Sequence, residues 1–188
     1  MVCYYLIALL HINQTILIMK KLLVIALIAL TGYTANAQFS AGVHGGLPIG
    51  DAGDLATFAI AVDLGYLFEI SDSFSAGPTV GVQHNFGDEF SFTDPFTGTT
   101  ITEDYEDTTF LPVGAAVRFN VSDTFTLGGD LGYGVGLAPD FNDGGFYYSP
   151  RAQYSVSDLI DIVVAYRGVS LDGGSWDIVS AGVEFGID

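Results

Sequence analysis

The 188-residue chain carries 5 Lys+Arg against 22 Asp+Glu, a formal charge of −17, and its sequence pI is near 4.1. That length is one domain's worth, and without a basic face the chain is unsuited to nucleic acid. Charged residues make up only 14% while hydrophobic ones reach 49% and Gly numbers 24, with mean hydropathy +0.44. This is neither a disordered acidic tail nor an ordinary soluble domain, and it points to an apolar solvent.

The first apolar block, Met1 to Leu30, is interrupted by His11, Asn13, Gln14 and Thr15 and then by Lys20 and Lys21. Taken as one span it would be a transmembrane anchor. A start at Met19 instead makes Met19-Lys20-Lys21 a charged n-region, Leu22 to Leu30 an apolar core and Ala35-Asn36-Ala37 an A-x-A cleavage site, the pattern of a secretory signal peptide. The expected organisation is an upstream extension over 1–18, a signal peptide over 19–37 and one domain over 38–188. Removing 37 of the 188 residues leaves 151, with Arg118, Arg151 and Arg167 against all 22 acids, a balance of −19. No lysine or cysteine survives the cut, and Cys3 follows no lipobox. A lipid anchor, disulfides, thiol catalysis and Cys-ligated zinc therefore drop out together.

After Gln38 no apolar run is long enough for a membrane-spanning helix. The pattern is alternation. Phe58, Ile60, Val62, Leu64, Tyr66 and Phe68 interleave with Thr57, Ala59, Ala61, Asp63 and Gly65, a period of two that predicts strand. The same split recurs from Phe74 (Phe74, Ala76, Val80, Val82 against Ser75, Gly77, Thr79, Gly81, Gln83). It returns from Phe125 (Phe125, Leu127, Leu131, Tyr133, Val135 against Thr126, Gly128, Asp130, Gly132, Gly134). One face is large and apolar; the other is tiny or polar.

A repeat sets the topology: Phe68-Glu-Ile-Ser-Asp-Ser-Phe74, Phe119-Asn-Val-Ser-Asp-Thr-Phe125 and Tyr154-Ser-Val-Ser-Asp-Leu-Ile160. Ser and Asp bond their own backbone and start tight turns. Each interval between, before and after these turns holds two strands and one connection. The prediction is eight antiparallel strands joined by three tight turns at one end and, at the other, by connections near 48–56, 87–107, 139–145 and 171–175.

Short turns at one end and longer loops at the other are the layout of an all-β, up-and-down transmembrane barrel of the outer membrane. A soluble lipocalin-like barrel would keep its large apolar side chains inside and cover its exterior with charge. Here the charged strand residues Asp63, Arg118, Asp130, Arg151, Asp161, Arg167 and Glu184 mostly share parity with Gly, Ala, Ser and Thr, although Val163 joins Asp161 and Arg167. An eight-stranded lumen admits only small or mutually paired polar side chains, so that face is the inside. Phe68, Phe74, Phe119, Phe125 and Tyr154 at the turn end, with Phe58, Phe86, Phe146, Tyr148 and Tyr166 toward the loops, would be the two aromatic girdles. Pro78, Pro112 and Pro150 fall inside strands, where each removes a ladder hydrogen bond, and bulges are the expected accommodation.

On these residues the chain from Gln38 to Asp188 resembles the small eight-stranded outer-membrane barrel family, the OmpX/Ail-like and porin-like barrel proteins of Gram-negative bacteria. The signal peptide, the Ser-Asp turns, the alternation and the last strand, Val179-Ser-Ala-Gly-Val-Glu-Phe-Gly-Ile-Asp188, carry the likeness. It implies insertion into outer-membrane lipid by the barrel assembly machinery, which reads a terminal aromatic in such proteins; here Phe185 lies two residues inside Ile187-Asp188.

Three functions remain open: a structural or surface-interaction protein, a narrow pore for small solutes, and a lipid-modifying enzyme, since deacylases and palmitoyltransferases exist on such barrels. For catalysis only His44 and His84 offer an imidazole; parity puts His44 in the lumen and His84 on the outer face, so no serine–histidine–acid site assembles. No cofactor is expected. The stretch Gly87 to Asp107 carries seven acids, Asp88, Glu89, Asp94, Glu103, Asp104, Glu106 and Asp107, and four aromatics, Phe90, Phe92, Phe96 and Tyr105. It is read as a recognition surface for a ligand or a divalent-cation patch, or as a solvated loop that keeps the barrel top soluble. Asp140-Phe-Asn-Asp-Gly-Gly145 lacks the spacing of a calcium loop, and Gly42-Val-His-Gly-Gly46 lacks the lysine and helix of a phosphate loop. In the lumen, Arg151, Asp161 and Asp130 are expected to pair, with Arg118 nearer the periplasmic end and Arg167 facing Asp63 nearer the loops. Such a plug blocks the barrel, and the protein is expected to be a monomer.

Overall fold

The computed structural model describes residues 37–140 and 142–187. The upstream extension expected over 1–18 and the signal peptide expected over 19–37 lie outside them, except for Ala37. Within the described residues the alternating segments form ten strands: β1 (Ala37–Ile49), β2 (Ala56–Ser71), β3 (Phe74–Gly87), β4 (Glu89–Thr93), β5 (Thr100–Asp104), β6 (Thr108–Ser122), β7 (Phe125–Ala138), β8 (Gly145–Ser157), β9 (Ile160–Leu171) and β10 (Gly174–Ile187). Eight of them close an antiparallel barrel in the order β1-β10-β9-β8-β7-β6-β3-β2, with β4 and β5 forming a separate hairpin. Among the described residues no helix is long and apolar enough to cross a membrane, and crossing falls to the strands. Closure leaves no barrel strand with an open edge, which a hydrocarbon environment demands.

The three Ser-Asp repeats make the turns β2–β3, β6–β7 and β8–β9. Ser122 Oγ accepts the N–H of Thr124 at 3.4 Å and of Phe125 at 3.1 Å, and Ser157 Oγ accepts the N–H of Leu159 at 3.4 Å. Each repeat also holds a register shift at the same position, Glu69/Ser71, Asn120/Ser122 and Ser155/Ser157. One heptapeptide thus encodes both the turn and the bulge that tightens strand twist into it. At the other end the connections are a 3-10 helix, Gly50–Asp54, the segment bearing β4–β5, residues 139–144, and a two-residue turn whose Gly173 sits at φ +97°, the left-handed region.

Two expectations are corrected. The segment 87–107 is not an open loop: Phe90/Phe92 alternate with Ser91/Thr93 and pair with Thr100–Asp104. The prolines are not absorbed by bulges. Ladder pairing skips Pro78 between β2 and β3, Pro112 between β3 and β6, and Pro150 between β8 and β9, yet the register is the same on either side of each gap. Each proline pairs with its other neighbour, opposite Ala115, Gly134 and Gly129 respectively. The missing N–H removes one rung and shifts nothing.

Val62, Leu64, Val80, Val82, Leu131 and Val164 point outward. At the loop end the outer aromatics stack, Phe58 on Phe86, Phe146 on Tyr148 and Tyr148 on Tyr166 with ring centroids 6.4, 6.3 and 6.1 Å apart; at the turn end Tyr66 meets Phe68 edge-on at 5.0 Å.

Candidate functional site

The lumen holds two layers of different chemistry. At the loop end lies an apolar cap of buried Ala52, Ala56, Ala59, Phe110, Tyr147, Val169, Trp176 and Ile178, with Leu55 and Leu171 packed against it. The 3-10 helix builds it by folding inward, so that Ala52 is fully buried. Phe110 and Trp176 meet with ring centroids 6.1 Å apart. The alternation implied only small or polar residues on this face; the inward residues nearest the loops are instead large and apolar.

Below the cap Arg167 grips Asp63 with two N–H groups, Nη1 to Oδ1 at 3.1 Å and Nη2 to Oδ2. Its Nε donates to Ser180 Oγ at 3.2 Å and its Nη1 also to the Tyr147 hydroxyl at 3.4 Å. His44 Nε2 stands 3.1 Å from Asp63 Oδ2. Space for this carboxylate depends on glycine: Gly81 faces Asp63 across the ladder, and a Cβ there would stand 2.5 Å from Asp63 Oδ1 and 2.9 Å from the Val62 carbonyl.

A second cluster lies toward the turns. Arg118 Nη1 donates to Asp130 Oδ1 at 2.7 Å, Arg151 Nη1 reaches Asp130 Oδ2 at 3.5 Å, and Arg151 Nη2 binds Glu184. Gln153 Nε2 donates to Glu184 Oε1 at 3.0 Å. Asp63, Arg118, Asp130, Arg151, Arg167 and Glu184 are all buried. Three guanidinium groups meet three carboxylates, so these ion pairs sum to no net charge. Asp161 stays out of the cluster. Arg151 sits opposite Ala165 on β9, which leaves Asp161 four residues, about 13 Å, further along the strand. It lies half-buried in a polar vestibule at the turn end with Glu69, Asp72, Gln153 and Glu184.

The acids of 87–107 are dispersed. Asp94 accepts the N–H groups of Phe96 at 2.8 Å and Thr97 at 3.4 Å, and these bonds, Phe96's above all, hold its carboxyl below the ordinary 3.8. Asp88 Oδ1 accepts Glu89 N–H at 2.8 Å, and Asp107 Oδ1 accepts Gly87 N–H at 2.9 Å. Glu89 and Asp104 face each other across the hairpin while Glu103 faces Phe90; Glu106 is exposed. Among the described residues no three acids or histidines gather as a metal site would require.

Among the described residues the two histidines lie apart, His44 buried in the lumen and His84 on the outer face with Nδ1 2.9 Å from Thr109 Oγ1 and Nε2 3.4 Å from Asp107. Sequence reasoning misses Asp177, an outward carboxylate at the loop end that accepts the Tyr148 hydroxyl at 2.9 Å. Gly168 lies between Tyr148 and Asp177 in the ladders, and a Cβ there would stand 2.5 Å from the Tyr148 oxygen. An acid flanked by inward Trp176 and Ile178 was the available signal.

The fold has solved counterparts. The crystal structure of Ail, the attachment invasion locus protein of Yersinia pestis, superposes with TM-score 0.52 at 16% identity, covering 82% of this chain and 100% of that one. The backbone structure of Ail in a phospholipid bilayer nanodisc gives 0.50 at 16% identity over 81% and 100% of the two chains. Ail in complex with the heparin analogue sucrose octasulfate gives 0.51 at 18% identity over 80% and 97%. No curated protein matches the chain. The family model of the outer membrane protein beta-barrel domain, however, matches residues 22–186. With the closed eight-stranded barrel and its apolar exterior, that match means that the chain belongs to the outer membrane protein beta-barrel domain family and is an integral protein of the outer membrane.

Proposed function

We propose that this protein is a sealed barrel whose role is structural or interactive at the cell surface, with specificity carried by the segments beyond the strands. The observation that carries this reading is the lumen: a cap of interlocked apolar side chains at the loop end, then buried Arg–carboxylate pairs that bridge β2 to β9 and link β6, β7, β8 and β10. A buried charge stays ionised only if paired, and a paired, immobile charge fills space that a solute would need. The imidazoles support no catalytic role. His44 lies among the lumenal ion pairs, and His84 is held on the outer face.

The ligand held by Ail in its sucrose octasulfate complex is a polyanion. The loop-end segment 87–107 here has seven acids and no base, so a sulfated sugar is opposed by charge. The surface favours a partner of opposite sign. Planar-bilayer recording tests the sealed lumen. Purified protein is expected to give no conductance above the bare bilayer, and steady reproducible openings would replace this reading with a pore.

A further inference from the structure

Hairpin β4–β5 stands clear of the barrel. Neither strand forms a packed interface with a barrel strand, and every residue of both is exposed. Its two faces differ in chemistry. On one, Phe90 and Phe92 lie opposite Glu103 and Ile101, and with Tyr105 they bound a shallow groove of about 380 Å³. Phe90, Phe92 and Ile101 are 54%, 53% and 55% exposed, and Phe96 in the connecting turn is 96% exposed. On the other, hydroxyls form cross-strand bonds, Ser91 to Thr102 at 3.1 Å and Thr93 to Thr100 at 3.0 Å, and Glu89 faces Asp104.

An aromatic face left in water marks an interaction site. The pairing also leaves β4 and β5 with one open edge each, and neither strand contains the lysine, proline or bulge that blunts an edge against strand addition. What does bias the edge is charge of a single sign. A second copy of this chain would set acid against acid, and so would the phosphate-rich surface of the outer membrane. A basic segment would be attracted.

We infer that the hairpin, resting on the surface role proposed above, is a docking edge for an extended segment of a partner protein in which basic and apolar residues alternate. Added as a third strand, such a segment places its apolar side chains beside Phe90, Phe92 and Ile101 and its lysines or arginines beside Glu89 and Asp104, because successive strand side chains point to opposite faces.

The test uses the full-length barrel in nanodiscs and three fluorescent decapeptides: alternating Lys–Val, alternating Glu–Val, and a block peptide with the Lys–Val composition. Anisotropy titration is expected to show preferential binding of the alternating Lys–Val peptide, weakened at least tenfold in Phe90→Ser/Phe92→Ser, which keeps the charge unchanged. Glu89→Gln/Asp104→Asn, which neutralises the face opposite the aromatic one, is expected to weaken binding and flatten its salt dependence. Equal affinity for the block peptide, or binding indifferent to Phe90→Ser/Phe92→Ser, would reduce the effect to bulk attraction and overturn the inference. So would dimers of the wild type that the same double variant dissolves, since the occupant would then be a second copy. Heat-dependent gel mobility verifies that each variant's barrel is folded. Conductance of the same preparations separates the two proposals: a silent barrel that binds no peptide loses only the docking edge, whereas a conducting one loses the sealed lumen.

Discussion

Replacing Arg167 by Ala removes a guanidinium that is 1% exposed and binds Asp63, itself 8% exposed, through two N–H groups. Deleting one member of a buried pair costs about 3–5 kcal/mol, because the surviving charge keeps its desolvation and loses its partner. Asp63 retains His44 at 3.1 Å, which lowers the loss. Ser180 and Tyr147 lose a donor as well, each worth about 1 kcal/mol, which raises it. The expected loss is about 4 kcal/mol. At a urea dependence of about 2 kcal/mol per molar, the unfolding midpoint in lipid vesicles should fall by roughly 2 M. Trp176, the single tryptophan of the chain, lies in the cap beside this layer and supplies the fluorescence signal. Arg167→Met with Asp63→Asn removes both charges and should recover most of the loss, since an apolar replacement of a whole buried pair is near neutral. A single-variant loss below about 1 kcal/mol, the worth of an exposed pair, would refute the claim that this layer is desolvated. A double variant less stable than the single would refute the pairing.

Lipid-facing positions should respond differently. Val80→Arg or Leu131→Arg puts a charge on an outward face now 39% or 56% exposed and should lose roughly 2 to 4 kcal/mol of insertion stability at mid-membrane. Folding into vesicles followed by gel shift reads this, and an unchanged yield would put those residues outside the hydrocarbon. At the hairpin tip, Asp94 is stabilised as the carboxylate, so its contribution is complete above the ordinary 3.8 and is lost as pH falls through its lowered value. Amide chemical shifts of Phe96 and Thr97 should therefore hold steady at neutral pH and move only in acid; movement between about pH 5 and 7 would contradict the turn.

The barrel is legible in the sequence because its signals are local and periodic. Ser71-Asp72, Ser122-Asp123 and Ser157-Asp158 each mark a chain reversal, and period two assigns each side chain to a face. Depth is not legible beyond a shared turn. Across the shared turn of β8 and β9 the register sets Asp161 opposite Ser155, four residues from Arg151's level; barrel strands that share no turn are staggered, so no count from a turn brings Glu184 of β10 to Arg151. Parity also assigns a side without saying what covers it. Phe110, Tyr147, Trp176 and Ile178 share the inward face with the arginines, yet only the fold-back of Gly50–Asp54 makes them a cap. The hairpin escapes a reading from sequence because its strands are five residues each, too short for periodicity to outweigh seven acids.

The cap and the ion pairs lie in series along the lumen, and that arrangement makes a prediction that neither makes alone. An ion entering from the loops meets first the packed rings of Phe110 and Trp176, centroids 6.1 Å apart, then guanidinium and carboxylate groups paired with one another. Either layer suffices to block passage, since resistance along a single path is set by its tightest part. Phe110→Ala/Trp176→Ala should therefore stay silent in planar bilayers, because Arg167 and Asp63 remain beneath it. Arg167→Ala/Asp63→Ala should also stay silent, because the cap remains above it, although the second cluster of Arg118, Asp130, Arg151 and Glu184 is then the only charged layer left. Adding Arg151→Ala/Glu184→Ala to the other four substitutions removes the Phe110–Trp176 contact and the Arg167–Asp63 and Arg151–Glu184 pairs, with the Arg118–Asp130 pair remaining at one side and Tyr147, Val169, Ile178, Gln83, Asn85 and Gln153 still facing inward. Small cation-favouring openings should follow from the excess of acids at both ends. Recording is made on the fraction that shows the gel shift of a folded barrel. Openings of equal size in either two-residue variant and in the six-residue one would mean that the layers do not act in series, and the lumen would have to be sealed by something other than these side chains.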